Sequence, residues 1–293
     1  MDQRPVIARE LFFLFVISYA KIHAYLLKYF GLQLRGLGFF LRHIKEDRGI
    51  KCDSLKFFFN HRVSGCYVHM MAGIWNEPET HTFLRRIFSH AGILTNFIDV
   101  GANIGEMIID VARLPNVGRV IGFEPHAECA KACKISAALN ALRNIEVRQK
   151  VLSNYKGLMK FHLDNKRANA SHIADDHSHD ASWVESSTID EEARELAGDT
   201  IILIDVEGSE LEVVKGGSSF IEKSKPLIIF EYNNLTRQHF RLEEMMQALG
   251  DKYRIFRLRS GDGLLDLNMT ETWNCCAVHE DTWFYDTCMG MLT

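Results

Sequence analysis

The stretch that decides the fold is Thr95-Asn96-Phe97-Ile98-Asp99-Val100-Gly101-Ala102-Asn103-Ile104-Gly105, which runs on into Glu106–Leu114. Thr95–Val100 is an apolar run with one acid near its end, and its length and β-branched content predict a buried strand. Gly101–Gly105 reads as a turn. Glu106–Leu114 has helical spacing, and Pro115-Asn116-Val117-Gly118 stops it. A strand that passes through a glycine turn into a helix is the context in which a nucleotide-type loop occurs. The glycines are expected to let the backbone approach a ligand closely.

The same alternation extends downstream. Arg119–Phe123 and Ile145–Leu152 read as strands, with Ala127–Leu142 as an Ala-rich helix between them. Thr200–Asp205 and Leu227–Tyr232 are further strands, with Ser209–Lys223 and then Thr236–Leu249 as helices. Tyr253–Arg259 and Thr272–His279 read as two closing strands, expected to form an antiparallel hairpin at the sheet edge. The pattern predicts an α/β fold: a Rossmann-like, doubly wound sheet of about seven strands with helices on both faces. Such a sheet binds its ligand at the carboxyl ends of its central strands. Residues 153–190 interrupt the pattern. Leu158–Leu163 and Trp183–Thr188 read as short strands around a polar, His/Asp-rich segment, Asn165–Asp180.

Composition narrows the function. With 47% hydrophobic residues in 293, the chain can bury a large core, which excludes a disordered protein. A net charge of -4 argues against nucleic acid as a partner. The charge is uneven: residues 1–50 hold eight Lys/Arg against four Asp/Glu, so a basic leader precedes an acidic body. The seven Cys include no CxxC pair, and free thiols in a reducing cytoplasm are expected.

The leader is expected to be a helical N-terminal extension over residues 1–60, followed by the main domain at 61–293. Its apolar run, Leu11–Ile17, is short of the roughly 20 residues a membrane span requires. Apolar residues recur at Leu26, Leu27, Phe30, Leu34, Leu37 and Leu41, with Lys21, Lys28, Arg35 and Arg42 between them. That pattern suits a helical cap on the domain, peripheral membrane contact through residues 1–42, or a secretory signal.

Two carboxylate motifs carry chemistry. Glu124, in Gly122-Phe123-Glu124-Pro125, ends the second strand, where it can accept hydrogen bonds from both hydroxyls of a ribose. Asp205 and Glu207, in Ile204-Asp205-Val206-Glu207-Gly208-Ser209-Glu210, sit at the mouth of the expected crevice. Ser209 is expected to cap the next helix, with Glu210 and Glu212 in its first turn. The loop glycines are not GxGxxG, and no GKS or GKT follows, so dinucleotide and P-loop sites fit poorly.

Together these segments resemble the FkbM family of S-adenosylmethionine-dependent methyltransferases. The matching residues are DVGANIG at 99–105, FEP at 123–125, IDVEGSELEVVKGG at 204–217 and KPLIIFEYN at 225–233. Trp75-Asn76-Glu77-Pro78 resembles the acidic lead-in common there, and Leu203 departs from the family's usual lysine. The resemblance implies a class I methyltransferase fold and S-adenosylmethionine as cofactor. It implies that Gly101, Ala102, Asn103 and Gly105 hold the methionine part, that Asp99 approaches its amino end, that Glu124 holds the ribose, and that Glu77 and Asp205 line the site. The implied reaction is O-methylation of a sugar, glycan, glycolipid or natural-product hydroxyl.

The base is open among Asp205, Glu207 and Glu231, with the loop residue His172 behind them. No metal is assigned, although Asp205, Glu207 and Glu231 could form an oxygen cage for Mg²⁺, and the histidines and aspartates of 172–180 could bind zinc or nickel. Tyr232, Trp183 and Trp273 are the aromatic side chains that could stack on a sugar. The competing functions are a nucleotide-dependent oxidoreductase and a non-catalytic, membrane-associated nucleoside-binding protein. Oligomeric state is not legible.

Overall fold

The computed structural model describes residues 6–162, 172–173, 181–270 and 272–293. Its strands are β1 (Arg48–Cys52), β2 (Leu55–Phe59), β3 (Thr95–Val100), β4 (Val117–Phe123), β5 (Ile145–Arg148), β6 (Val151–Leu152), β7 (Gly157–His162), β8 (His172–Ile173), β9 (Ala181–Ser187), β10 (Thr200–Ile204), β11 (Leu227–Glu231), β12 (Tyr253–Leu258), β13 (Leu265–Asp266) and β14 (Asn274–His279). Its helices are α1 (Val6–Phe30), α2 (Leu37–Arg42), α3 (Val68–Met71), α4 (Pro78–His90), α5 (Glu106–Val111), α6 (Ala127–Leu139), α7 (Ile189–Glu192), α8 (Glu210–Lys215), α9 (Ser218–Ser224), α10 (Leu242–Leu249) and α11 (Trp283–Met289).

Eight strands form the main sheet in the order β13-β12-β14-β11-β10-β3-β4-β5. The block from β11 to β5 is parallel. β14 lies antiparallel between β11 and β12, so the expected closing hairpin forms at this edge of the sheet, with only the two-residue β13 outside it. The chain winds one way from β3 through β4 to β5, then crosses back to β10 and β11. The order therefore reverses between β3 and β10, the place where such sheets open a crevice. Both faces are covered. Phe97, Ile201, Leu203 and Ile229 face one apolar layer, and Ile98, Val100, Ile202, Ile204 and Phe230 face the other. Burial on two sides is why these strands read as continuous apolar runs rather than alternating ones.

Several expectations are corrected. The extension is helical only through α1 and α2; Arg48–Phe59 is the antiparallel β1–β2 hairpin. Its outer edge is satisfied by side chains of α6: Phe58 N donates to Ser136 Oγ at 3.0 Å, and Lys56 N to Asn140 Oδ1 at 3.0 Å. An edge strand covered by helix side chains is invisible to local periodicity. The strand expected over 145–152 divides, and β6 leaves the main sheet for a second one ordered β6-β9-β7-β8. The helix expected over 209–223 breaks at Gly216-Gly217 into α8 and α9. A Cβ on Gly216 would lie 2.0 Å from the Ser153 carbonyl oxygen, so close packing against that loop requires the glycine. Thr236–Leu249 is a 3-10 turn, Thr236–Gln238, followed by α10.

Candidate active site

Asp99, Glu124, Asp205 and Glu231 stand at or just beyond the carboxyl ends of β3, β4, β10 and β11, so the parallel register brings four carboxylates from distant sequence to one rim. Two adjoining cavities open there. One, of about 660 Å³ including its open mouth, is lined by Phe123, Glu124, Pro125, Lys150, Leu152 and Phe161 among others. The second, of about 1260 Å³ on the same measure, is lined by His69, Glu77, His81, Asp99, Glu231 and Trp273 among others. Gly101, Asn103, Asp205 and Glu207 line both, and so form the wall between them.

The glycine loop is shaped by the protein itself. Gly101 has φ +97°, and a Cβ there would lie 1.8 Å from the Asp205 carbonyl oxygen. Gly105, at φ +86°, packs against Cys133 of α6. Their freedom thus serves β3–β10 and loop–α6 contact, and Gly101 also lines both cavities. Gly101 N and Ala102 N both donate to the Phe123 carbonyl. Asn103 takes a left-handed φ of 47°, and its carbonyl accepts from Cys133 Sγ.

Glu124 is buried, and its carboxylate accepts from Asn103 N and His126 N, both at 2.7 Å. Each oxygen retains a lone pair for a ligand hydroxyl. Burial pushes its pKa up to about 7 against the lowering effect of those two bonds. Asp99 is buried with no donor among the described residues; burial and the neighbouring Glu124 and Glu77 push it up to about 8. Asp205 is raised well above the carboxylate range by burial and by Glu77, Glu231, Glu207 and Glu210.

Glu231 accepts from Asn233 Nδ2 at 2.7 Å through Oε1, while Oε2 is buried with no partner. Burial, then Glu207 and Glu210, push it up to about 8. Glu77 holds a left-handed φ of 49° and accepts from Asn274 Nδ2 at 2.7 Å and Trp273 Nε1 at 3.3 Å; its pKa is raised by burial. Glu207 also has a left-handed φ, 56°. Its loop is fastened by Glu210, whose Oε1 accepts from Val206 N and Gly208 N at 3.1 Å. Ser209 makes no capping bond, against expectation.

His81 was not singled out by the sequence. It is buried in the second cavity, with Nδ1 2.7 Å from Asp110 Oδ2 and Nε2 without a hydrogen-bond partner, 3.6 Å from Glu106 Oε1. Arg85 and Arg113 grip Asp110 from behind. Burial lowers the histidine's pKa, but Asp110 and Glu106 outweigh it and the net shift is upward. Histidine and aspartate are 29 residues apart, on α4 and α5, so no local motif could have shown them.

Of the aromatics, Trp273 lines the second cavity. Trp183 lies out on β9 with Lys160 over its ring, and Tyr232 is packed against Phe240. For His172 only the β8 backbone pairing with His162 is described, and 174–180 fall outside the described residues. Among the described residues, no group of three or more His, Cys, Asp or Glu is arranged to hold a metal ion.

The model of the FkbM methyltransferase domain matches residues 99–253, more than half of the chain. The chain belongs to the FkbM methyltransferase family. The match spans all four motif segments, from the glycine loop through Glu124 to the Asp205–Gly208 loop and Glu231. A comparison with curated proteins returns no match. Among solved structures, the FkbM methyltransferase of Methylobacillus flagellatus is 17% identical, with 75% of this chain aligned to 53% of that one at a TM-score of 0.44. The present chain thus spans about half that protein's length. M. jannaschii TYW2 in complex with AdoMet is 10% identical, over 80% and 84% of the two chains, at 0.42. The ribosomal protein L11 methylase of Lactobacillus delbrueckii is 15% identical, over 70% and 80%, at 0.39. At these identities no acceptor is carried over to the FkbM chain described here.

Proposed function

We propose that the protein transfers the methyl group of S-adenosylmethionine to a hydroxyl of a sugar, glycan, glycolipid or natural-product acceptor. The observation that carries this reading is the pair of cavities meeting at a wall of Gly101, Asn103, Asp205 and Glu207. The donor set fits the cofactor. Carboxylates suit its two cationic centres, Glu124 suits the ribose, and Phe123, Leu152 and Phe161 give the first cavity an apolar lining for a base. All seven cysteines are free, six of them buried, in keeping with a reducing cytoplasm.

When bound, S-adenosylmethionine supplies an electrophilic methyl group on a positively charged sulfur. The residues must align an acceptor oxygen with it, which can lower the barrier by roughly 7–11 kcal/mol. Glu231 fits the base best: it lines the second cavity, Asn233 fixes one of its oxygens, and the other is buried with no partner. With the cofactor bound, Glu231 would take the proton of the acceptor hydroxyl. A raised pKa would leave it protonated at neutral pH, so nearby positive charge has to draw that proton off first. Asp205 and Glu207, at the shared wall, are then neighbours of that charge. Trp273, on the cavity rim, offers a face for a sugar ring.

His81 is assigned to the cofactor's carboxylate, since its shift is toward the protonated form in a cavity whose charged lining is otherwise made of Asp and Glu. His81→Asn is expected to weaken S-adenosylhomocysteine binding about 10-fold while leaving 5′-methylthioadenosine, which lacks the amino-acid part, nearly unchanged. Equal losses for both ligands in calorimetry would remove His81 from that role.

Cofactor binding should also expel protons. Asp99 and Glu231 near 8 and Glu124 near 7 hold protons at pH 7, and cationic ligand groups beside them favour release. Titration in buffers of different ionisation enthalpy should give on the order of one proton released per ligand at pH 7. A flat response would mean the charges settle elsewhere. The overall reading is tested by offering S-adenosylhomocysteine and NAD(H) side by side, then a glycan panel with labelled S-adenosylmethionine. Binding of NAD(H) alone would point to an oxidoreductase, and cofactor binding without methyl transfer to any acceptor would point to a non-catalytic role.

A further inference from the structure

The α1–α2 segment carries a surface the catalytic reading does not use. α1 spans 25 residues, about 37 Å at 1.5 Å per residue, and its best 18-residue window has a mean hydropathy of 1.5. Length and composition alone would let it cross a bilayer. Its packing says otherwise. Val16 and Ala20 are fully buried against the body, and the Phe13 ring sits 6.1 Å from that of Phe59, with the Arg48 guanidinium 4.7 Å from its centroid. Arg9 pairs with Glu46, and Glu10 with Arg48 at 2.7 Å. Tyr19 Oη donates to the Arg35 carbonyl, tying α1 to the loop before α2. One stripe of the helix therefore belongs to the domain.

The remaining faces point away from it. Leu11, Leu14, Phe15, Ile22, Phe30 and Phe39 are 47–63% exposed. Between residues 11 and 44 the chain has Lys21, Lys28, Arg35 and Arg42, all exposed, and no Asp or Glu. Apart from Glu10, which is paired with Arg48, this apolar face is bordered by positive charge and complements an anionic bilayer surface, where large side chains sink to the acyl boundary and Lys/Arg meet headgroups. α1 also packs on α3, and the turn through α3 supplies Gly65, Cys66, Val68 and His69 to the second cavity.

We propose that the outer face of α1 and α2 docks in the plane of an anionic lipid surface, holding the second cavity beside the headgroups. Resting on the methyltransferase reading, this makes a headgroup-borne hydroxyl the natural acceptor; the docking itself does not depend on that reading.

The test is flotation of the full chain with phosphatidylcholine vesicles, with and without 30% phosphatidylglycerol, together with S-adenosylhomocysteine titration of every variant. Full chain should float with the anionic vesicles, and less so at 0.5 M salt. Lys21→Gln/Lys28→Gln should lower the partition roughly 10- to 30-fold. Leu14→Glu/Phe30→Glu should abolish it, with cofactor affinity unchanged within about 2-fold in both. Absence of flotation, or flotation indifferent to both variants, overturns the proposal. So does protein that resists alkaline carbonate extraction, which would mean a spanning helix. So does a chain that floats only as an oligomer dissociated by the same substitutions, which would assign the face to a second copy.

Discussion

Gly101→Ala is expected to destabilise the protein by more than about 3 kcal/mol and to abolish cofactor binding. Two costs combine. The residue sits at φ +97°, a region that costs a side-chain-bearing residue about 1–2 kcal/mol. The added Cβ would also fall 1.8 Å from the Asp205 carbonyl oxygen and 2.9 Å from its carbon. Those are backbone atoms of the neighbouring crossover, held by the Asp205 N bond to the Val100 carbonyl at 2.9 Å, so they cannot rotate away. Relief requires β3 and β10 to separate at the rim where Asp99 and Asp205 face the cavities. Gly250→Ala is the control: its φ is +92°, but nothing lies within 4 Å of the added carbon. Urea denaturation should therefore show Gly250→Ala losing only the dihedral cost. If the two variants lose the same amount, the close β3–β10 contact is not what fixes this glycine.

Glu124→Ala is expected to weaken S-adenosylhomocysteine binding by about 1.5–3 kcal/mol, or roughly 10- to 150-fold. The carboxylate acts twice, on a ligand hydroxyl and on the loop, where it accepts from Asn103 N and His126 N. Glu124→Gln keeps one acceptor oxygen and should lose less. Because burial pushes Glu124 up to about 7, wild-type affinity should improve as pH rises through that value, and Glu124→Gln should flatten the profile. An unchanged affinity in Glu124→Ala would free Glu124 from the ribose role.

The same raised carboxyls govern the stability of the ligand-free protein. Asp99, Glu124 and Glu231 bind protons more tightly folded than unfolded, so stability is greatest below their unfolded pKa near 4 and falls as pH rises toward 7–8. Asp110 works the other way. His81, Arg85 and Arg113 outweigh its burial and hold it well below the carboxylate range, so its contribution is lost only in strong acid.

The strand–turn–helix at 95–111 was legible because a strand buried on both faces leaves an unbroken apolar run, and the turn after it needs glycine. The placement of Glu124 and of Asp205, Glu207 and Glu231 followed from strand ends, which local pattern locates to within a residue or two. The β1–β2 hairpin was not legible, since its outer edge bonds to Ser136 and Asn140 some 80 residues on. His81 carried no local signal, because its partner Asp110 is 29 residues away on another helix.

The sequence by itself determined the order of elements, the doubly wound sheet and the carboxylates at its rim, because each rests on hydrophobic period and chain-local turn chemistry. Only the tertiary structure decided that the loop glycines face Asp205 and Cys133, that Glu231 keeps one bare oxygen, and that Asp110 orients His81. Those facts depend on which backbones and side chains meet across the sheet and between helices, and contact at that separation leaves no periodic trace along the chain.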